Sequence, residues 1–193
     1  MSLRLMTLGP PRVFLGDREL ADLPAQRLRF ALLVYLAVEG DVSRESVLTM
    51  FWPDRDGPRA RHALRQMLYE LRQFLGEGWI DVSRDRIVVG AATDAAAFEA
   101  AVSGHRRDEA LKLYGGAFLE GFALDNRTFE GWVERQRAHL GRSHRRLRRE
   151  HIVERLSAGD AEGALQAAQQ WVALDPLEDE ASHALIGCLA LTG

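Results

Sequence analysis

The stretch Pro58-Arg59-Ala60-Arg61-His62-Ala63-Leu64-Arg65-Gln66-Met67-Leu68-Tyr69-Glu70-Leu71-Arg72-Gln73-Phe74-Leu75 decides how this chain is read. Apolar residues recur at Ala60, Ala63, Leu64, Met67, Leu68, Leu71, Phe74 and Leu75. At about 100° per residue they fall on one stripe of a helix, the pattern of a face packed on a core. Arg61, His62, Arg65, Gln66, Tyr69, Arg72 and Gln73 fall on the opposite stripe. Gly76 follows as a C-cap. A solvated helix face usually mixes signs, with acids spaced to pair with bases. Here Arg59, Arg61, Arg65 and Arg72 face Glu70 alone. These residue types suit the edges of bases, because arginine pairs with guanine O6 and N7 and glutamine with adenine. Taken alone, the helix is read equally well as a solvated face.

The flanking sequence supplies the context. Upstream, Leu3–Leu8 roughly alternates and stops at Gly9-Pro10-Pro11, Arg12–Leu15 is a second short strand, and Gly16-Asp17 turns the chain toward Arg18-Glu19-Leu20. A small antiparallel sheet follows. Ala25–Glu39 has the spacing of a buried helix, stopped by Gly40. Ser43 caps a short helix carrying Val47, Leu48 and Phe51, which Trp52-Pro53 ends. Downstream, Ile80 and Val82 alternate with polar residues, and Trp79–Val82 and Ile87–Val89 flank the tip Ser83-Arg84-Asp85-Arg86, a β-hairpin. Strands, three helices and a hairpin make a winged helix preceded by a small sheet. A hairpin tip in that setting approaches phosphate or a narrow minor groove, which makes Arg84 and Arg86 further candidates. Asp85 between them dilutes that signal. Gly90–Thr93 reads as the boundary of this unit.

From Asp94 onward the pattern is helical. Asp108–Tyr114 echoes Asp160–Gln166, a weak internal repeat 54 residues apart at Ala110 and Ala164, with a long loop at 115–126 absorbing the excess. Ala164 and Pro176 have the spacing of a tetratricopeptide repeat, although Trp171 stands where a small residue is usual. Asp175-Pro176-Leu177-Glu178 reads as a capping box with proline first in the helix. A second basic run, Arg135–Arg149, contains Arg142, Arg145, Arg146, Arg148 and Arg149 with His139 and His144, and is read mainly as pairing with acids elsewhere. The expected fold is mainly α: a winged helix-turn-helix with small antiparallel sheets over residues 1–92, then an all-α tetratricopeptide-like domain over 93–193. The last residues fall within a helix pair, so a longer parent protein is expected.

Composition narrows the function classes. The chain has 193 residues, 47% of them hydrophobic and 27% charged, which is ordinary globular composition. No apolar run approaches the roughly 20 residues of a membrane span, and no signal segment opens the chain, so a cytoplasmic location without membrane contact is expected. The net charge is −3, and residues 1–92 carry 13 arginines against 12 acids. Local stripes, not the total, therefore carry any nucleic-acid reading. Cys188 lies in an apolar stretch and reads as an inert buried thiol. Six histidines and one cysteine form no recognisable metal set. His151 and Glu154 share a helix face without a second pair, and no glycine-rich loop has phosphate-binding spacing. Neither catalysis nor a cofactor is expected.

Two motifs carry a family likeness. Phe51-Trp52-Pro53-Asp54 followed by Arg59–Arg72 resembles the Streptomyces antibiotic regulatory protein (SARP) family. Leu113-Tyr114-Gly115-Gly116-Ala117-Phe118-Leu119-Glu120-Gly121-Phe122 followed by Phe129–Arg137 resembles its bacterial transcriptional activator domain (BTAD). The resemblance covers essentially the whole chain in matching order. It implies an OmpR-type winged helix, binding to direct-repeat double-stranded DNA near promoters, contact with RNA polymerase and paired binding on DNA. A near-neutral N-terminal half departs from what a tight DNA binder of this kind needs. Two readings from other classes stand beside it: an interaction module whose winged helix docks an acidic protein, and an enzyme, for which no constellation speaks.

Overall fold

The computed structural model describes residues 2–192. Strands β1 (Leu3–Met6), β2 (Arg12–Leu15) and β3 (Arg18–Glu19) form the expected antiparallel meander. Helices α1 (Arg27–Glu39), α2 (Arg44–Phe51) and α3 (Gly57–Leu75) follow, with strand β4 (Val42–Ser43) between the first two. Ser43 caps α2 as expected, its Oγ accepting from Ser46 N at 3.0 Å. The hairpin of β5 (Ile80–Val82) and β6 (Arg86–Val89) completes the winged helix. Two-residue β4, too short for a sequence pattern, pairs with β6 and roots the hairpin on the α1–α2 turn.

The stretch Gly90–Thr93, read as a boundary, contributes β7 (Ala91–Thr93), which pairs in parallel with β1. The first sheet is therefore mixed, in the order β3-β2-β1-β7, and the expected division between residues 92 and 93 falls inside a strand. Beyond it lie α4 (Asp94–Ser103), α5 (Arg107–Leu113), the long α6 (Arg127–Ser157), α7 (Ala161–Leu174) and α8 (Asp179–Thr192). Ala110 and Ala164, the positions of the internal echo, are both fully buried. Trp171 is fully buried too and fills a second, smaller core of α6, α7 and α8 that also buries Cys188. Pro176 does not open α8. It sits in the turn after α7, and α8 starts at Asp179 with Glu178 O accepting from Ala181 N.

One hydrophobic core runs from Leu3 to Leu147 and joins the two halves. Buried Asp94 accepts from Thr7 N and Oγ1, both at 2.7 Å, from Leu8 N at 3.0 Å and from Ala95 N at 2.9 Å. Four donors satisfy a carboxylate that burial would otherwise penalise heavily. The 114–122 loop then straps onto β1: Leu8 bridges Phe118, and Leu119 N donates to Thr7 O at 2.7 Å. The approach is too close for a side chain at Gly115, where a Cβ would lie 2.9 Å from Leu8 O. Leu119 adopts φ +50°, a strained value for a branched residue. Asn126 serves two helices at once. Its Oδ1 caps α6 by accepting from Phe129 N, and its Nδ2 donates to Met50 O at the end of α2. Trp132 of α6 donates to Glu39 of α1 at 2.7 Å. These contacts bolt the winged helix to the helical half.

Candidate nucleic-acid interface

Helix α3 begins at Asp56, whose Oδ1 accepts from Arg59 N at 2.9 Å, with Pro58 in the first turn. Ala60, Leu64, Leu68, Leu71 and Leu75 are buried. Ala63 and Met67 are half-buried at the margins. Phe74, assigned to the core from its spacing, is 38% exposed. It lies about 80° from the centre of the buried stripe at 100° per residue, on the shoulder of the helix.

The opposite face is open. Arg59, Arg61, His62, Arg65, Gln66, Tyr69 and Gln73 are all exposed, Tyr69 by 60%. Arg59 is 3.5 Å from its own cap, Asp56, a weak pair in solvent. Among the described residues no acid pairs with Arg61 or Arg65. Arg72 departs from its neighbours: it is half-buried and donates to Ile80 O at 2.9 Å, joining the end of α3 to the wing.

The wing separates its two arginines. Arg84 stands exposed at the tip. Arg86 is clamped, with Nε donating to Asp41 Oδ1 and a terminal nitrogen to Asp41 O, both at 2.7 Å. The clamp holds the Asp41 carboxyl below its ordinary range and raises Arg86. Arg44 N donates to Asp85 O at 2.9 Å, so the start of α2 holds the wing turn as well. The structure therefore brings Arg59, Arg61, His62, Arg65, Gln66, Tyr69 and Arg84 onto open surface, and gives Arg72 and Arg86 protein partners.

Sequence reading missed two residues at this face. Arg29 of α1 reaches Glu70, Nε to Oε2 at 2.7 Å, and Asp41 holds Arg86. Both act from distant segments, and no local spacing reveals them. The Gln66–Glu70 bond, 2.9 Å, is an i,i+4 pair and was legible in principle. The Gln66 amide, and then Arg29, hold the Glu70 carboxyl below its ordinary range. The one acid on the stripe is thereby neutralised from within the protein. Among the described residues no three His, Cys, Asp or Glu side chains are placed to hold a metal, and no helix is long and apolar enough to cross a membrane.

A wing, a helix with one buried and one open arginine-bearing face, and a stacked helical half define the winged-helix class of transcription regulators. The bacterial transcriptional activator domain family matches residues 80–193, more than half of the chain, and the chain belongs to that family. A solved structure titled Mycobacterium tuberculosis EmbR in complex with low affinity phosphopeptide has the same fold, with a TM-score of 0.66 at 17% sequence identity. The match covers 98% of this chain and 55% of that one, so the chain spans about half of that protein's length. No curated protein matches the chain by sequence. The fold and the family together bear out the resemblance to the SARP-type regulators.

Proposed function

We propose that this chain is a cytoplasmic, non-enzymatic transcriptional activator that binds direct-repeat DNA near promoters through α3. The observation that carries the reading is the open stripe of Arg59, Arg61, His62, Arg65, Gln66 and Tyr69, whose opposite face is anchored in the core. Arginine and glutamine there meet base edges, and the remaining cations meet phosphate. Arg84 reaches the backbone or minor groove from the wing tip. Arg72 holds the wing in register with α3 and adds positive potential there, while Arg86 ties the wing to Asp41. Residues 1–92 are the DNA-binding part. Residues 93–193 serve contact with RNA polymerase and association of copies on DNA. The rigid joint between the halves supports this division of labour, because a fixed joint sets the distance between operator and polymerase contact.

Binding measured against salt tests the reading. Contact with about four phosphates gives a log–log slope near −3.6. A slope of zero removes the electrostatic basis of the proposal. Gel shift against genomic fragments separates it from docking of an acidic protein, which predicts no specific shift.

A further inference from the structure

We propose that Arg29 and Glu70 are positioning residues that turn the amide of Gln66 so that it selects adenine. The proposal rests on the reading of α3 as the DNA-reading helix and adds what sets its specificity at one base pair.

Glu70 is one turn beyond Gln66 on α3 and lies on the shoulder facing α1. Arg29 grips its Oε2 with two nitrogens, at 2.7 and 2.5 Å. Gln26, the residue before α1, accepts from the same guanidinium and steadies it. Glu70 is left with Oε1 facing Gln66 Nε2 at 2.9 Å. An ionised carboxylate only accepts, so the nitrogen of the Gln66 amide, never its oxygen, faces Glu70. The amide is planar, and fixing the nitrogen fixes the oxygen. One N–H is occupied. One N–H and Oε1 remain, and among the described residues neither bonds another protein group.

One donor beside one acceptor is the complement of adenine in the major groove, which offers N7 to accept and N6–H to donate. Guanine offers O6 and N7, both acceptors, and meets Oε1 with like polarity. A glutamine without Glu70 escapes this by turning its amide over and presenting NH₂ to O6. The held glutamine has lost that option, and it also has less rotamer freedom to lose on binding. The arrangement explains why an acid sits on a face that meets phosphate: Arg29 cancels its charge locally while its second oxygen aligns the reader.

Glu70→Ala therefore has two opposed effects. Removing an acid leaves binding to unselected duplex equal or stronger. Releasing Gln66 admits guanine at one position. The test is selection of the 193-residue chain from a library of randomised duplex DNA, followed by sequencing of what is retained. Gln66→Ala identifies the base position that Gln66 reads by flattening it. Glu70→Ala lowers the preference for adenine over guanine at that same position by roughly tenfold, the scale of one good bidentate pair. Arg29→Met gives a smaller loss at the same position. Added to Gln66→Ala, Glu70→Ala changes no position further. The proposal is overturned if Glu70→Ala leaves that position unchanged, whether affinity for all sequences rises together, as for simple repulsion, or falls together with the melting temperature, as for a structural role. Gln66→Ala without effect on any position overturns it equally. Wild-type protein that enriches no sequence overturns the DNA reading of α3 itself.

Discussion

On α3, Arg61 and Arg65 stand in solvent with no acid paired to them among the described residues. On α6, six of nine arginines find a protein partner. Arg137 donates to the carbonyls of Phe118 and Leu119 and pairs with Glu134. Arg145 pairs with Glu178, Arg146 lies 3.8 Å from Glu150, and Arg149 lies 3.5 Å from Glu180. Arg148 is buried and donates to His144, whose ring stacks on Tyr114 at 3.9 Å. Only Arg135 and Arg142 of the run are exposed without an ion pair among the described residues. Arginine density is thus no measure of open positive surface. What separates the two helices is whether neighbouring elements supply acceptors, and around α3 they do so only at its edges.

The sharpest break of this comparison is Arg137→Ala. Phe118 and Leu119 are fully buried, and each carbonyl loses its charged donor. Leu119 O keeps the Phe122 N–H at 3.1 Å, so Phe118 O is the group left unsatisfied. At about 1–3 kcal/mol for that group, the loss is about 2 kcal/mol and lowers the melting temperature by about 6 °C. DNA affinity per folded molecule is unchanged. Thermal melting beside a binding isotherm checks both halves, and a loss of affinity without a loss of stability would place Arg137 with the α3 arginines.

The second break uses pH. Burial first, then the charges of Arg148 and Arg145, push His144 down to about 3 from its ordinary 6.5. A histidine kept neutral in the fold contributes fully above pH 6.5, and that contribution is lost as pH falls toward 3, because the unfolded chain gains the proton. The slope is at most about 1.4 kcal/mol per pH unit, or about 2 kcal/mol by pH 5. His144→Gln keeps an acceptor for Arg148 and does not titrate in this range. Urea unfolding at pH 7 and pH 5 should show the wild-type loss and a flatter variant; equal losses refute a role for His144.

On α3 the expectation is reversed. Arg65→Ala leaves melting within about 0.5 kcal/mol, as for an unpaired surface residue. It relaxes specificity at one base position by about 1–3 kcal/mol. Equal losses on every sequence would make Arg65 a phosphate contact instead.

Local chemistry made much of this legible. The α3 stripe, the Ser43 cap and the wing strands each show within a dozen residues. Long-range closure was not legible. β7 is Ala-Ala-Thr, with no hydrophobic pattern, and owes its existence to pairing with β1 some 88 residues earlier. Asp94 reads as a helix-start acid, yet it organises the β1 end through Thr7 and Leu8. Pro176 looked like a helix opener because proline suits both a first turn and a loop, and the backbone took the loop. At the interface, which arginines stay open was undetermined, since Arg29, Asp41 and Ile80 come from distant segments.

The wing holds the smallest contrast of the same kind, between two arginines two residues apart. Arg84 is at the tip without an ion pair among the described residues, whereas Arg86 is committed to Asp41. Arg84→Ala removes one phosphate contact. It weakens every sequence alike, reduces the magnitude of the salt slope by about 0.9 and leaves melting unchanged. Arg86→Ala removes a solvent-exposed ion pair and a bond to the Asp41 carbonyl, a small loss of stability. Its guanidinium is already neutralised by a carboxylate at 2.7 Å, so it releases few counterions on binding and the salt slope holds. Paired salt titrations of the two variants therefore decide whether open and engaged arginines differ even at this scale. Equal changes in slope would show that the Asp41 clamp opens on DNA.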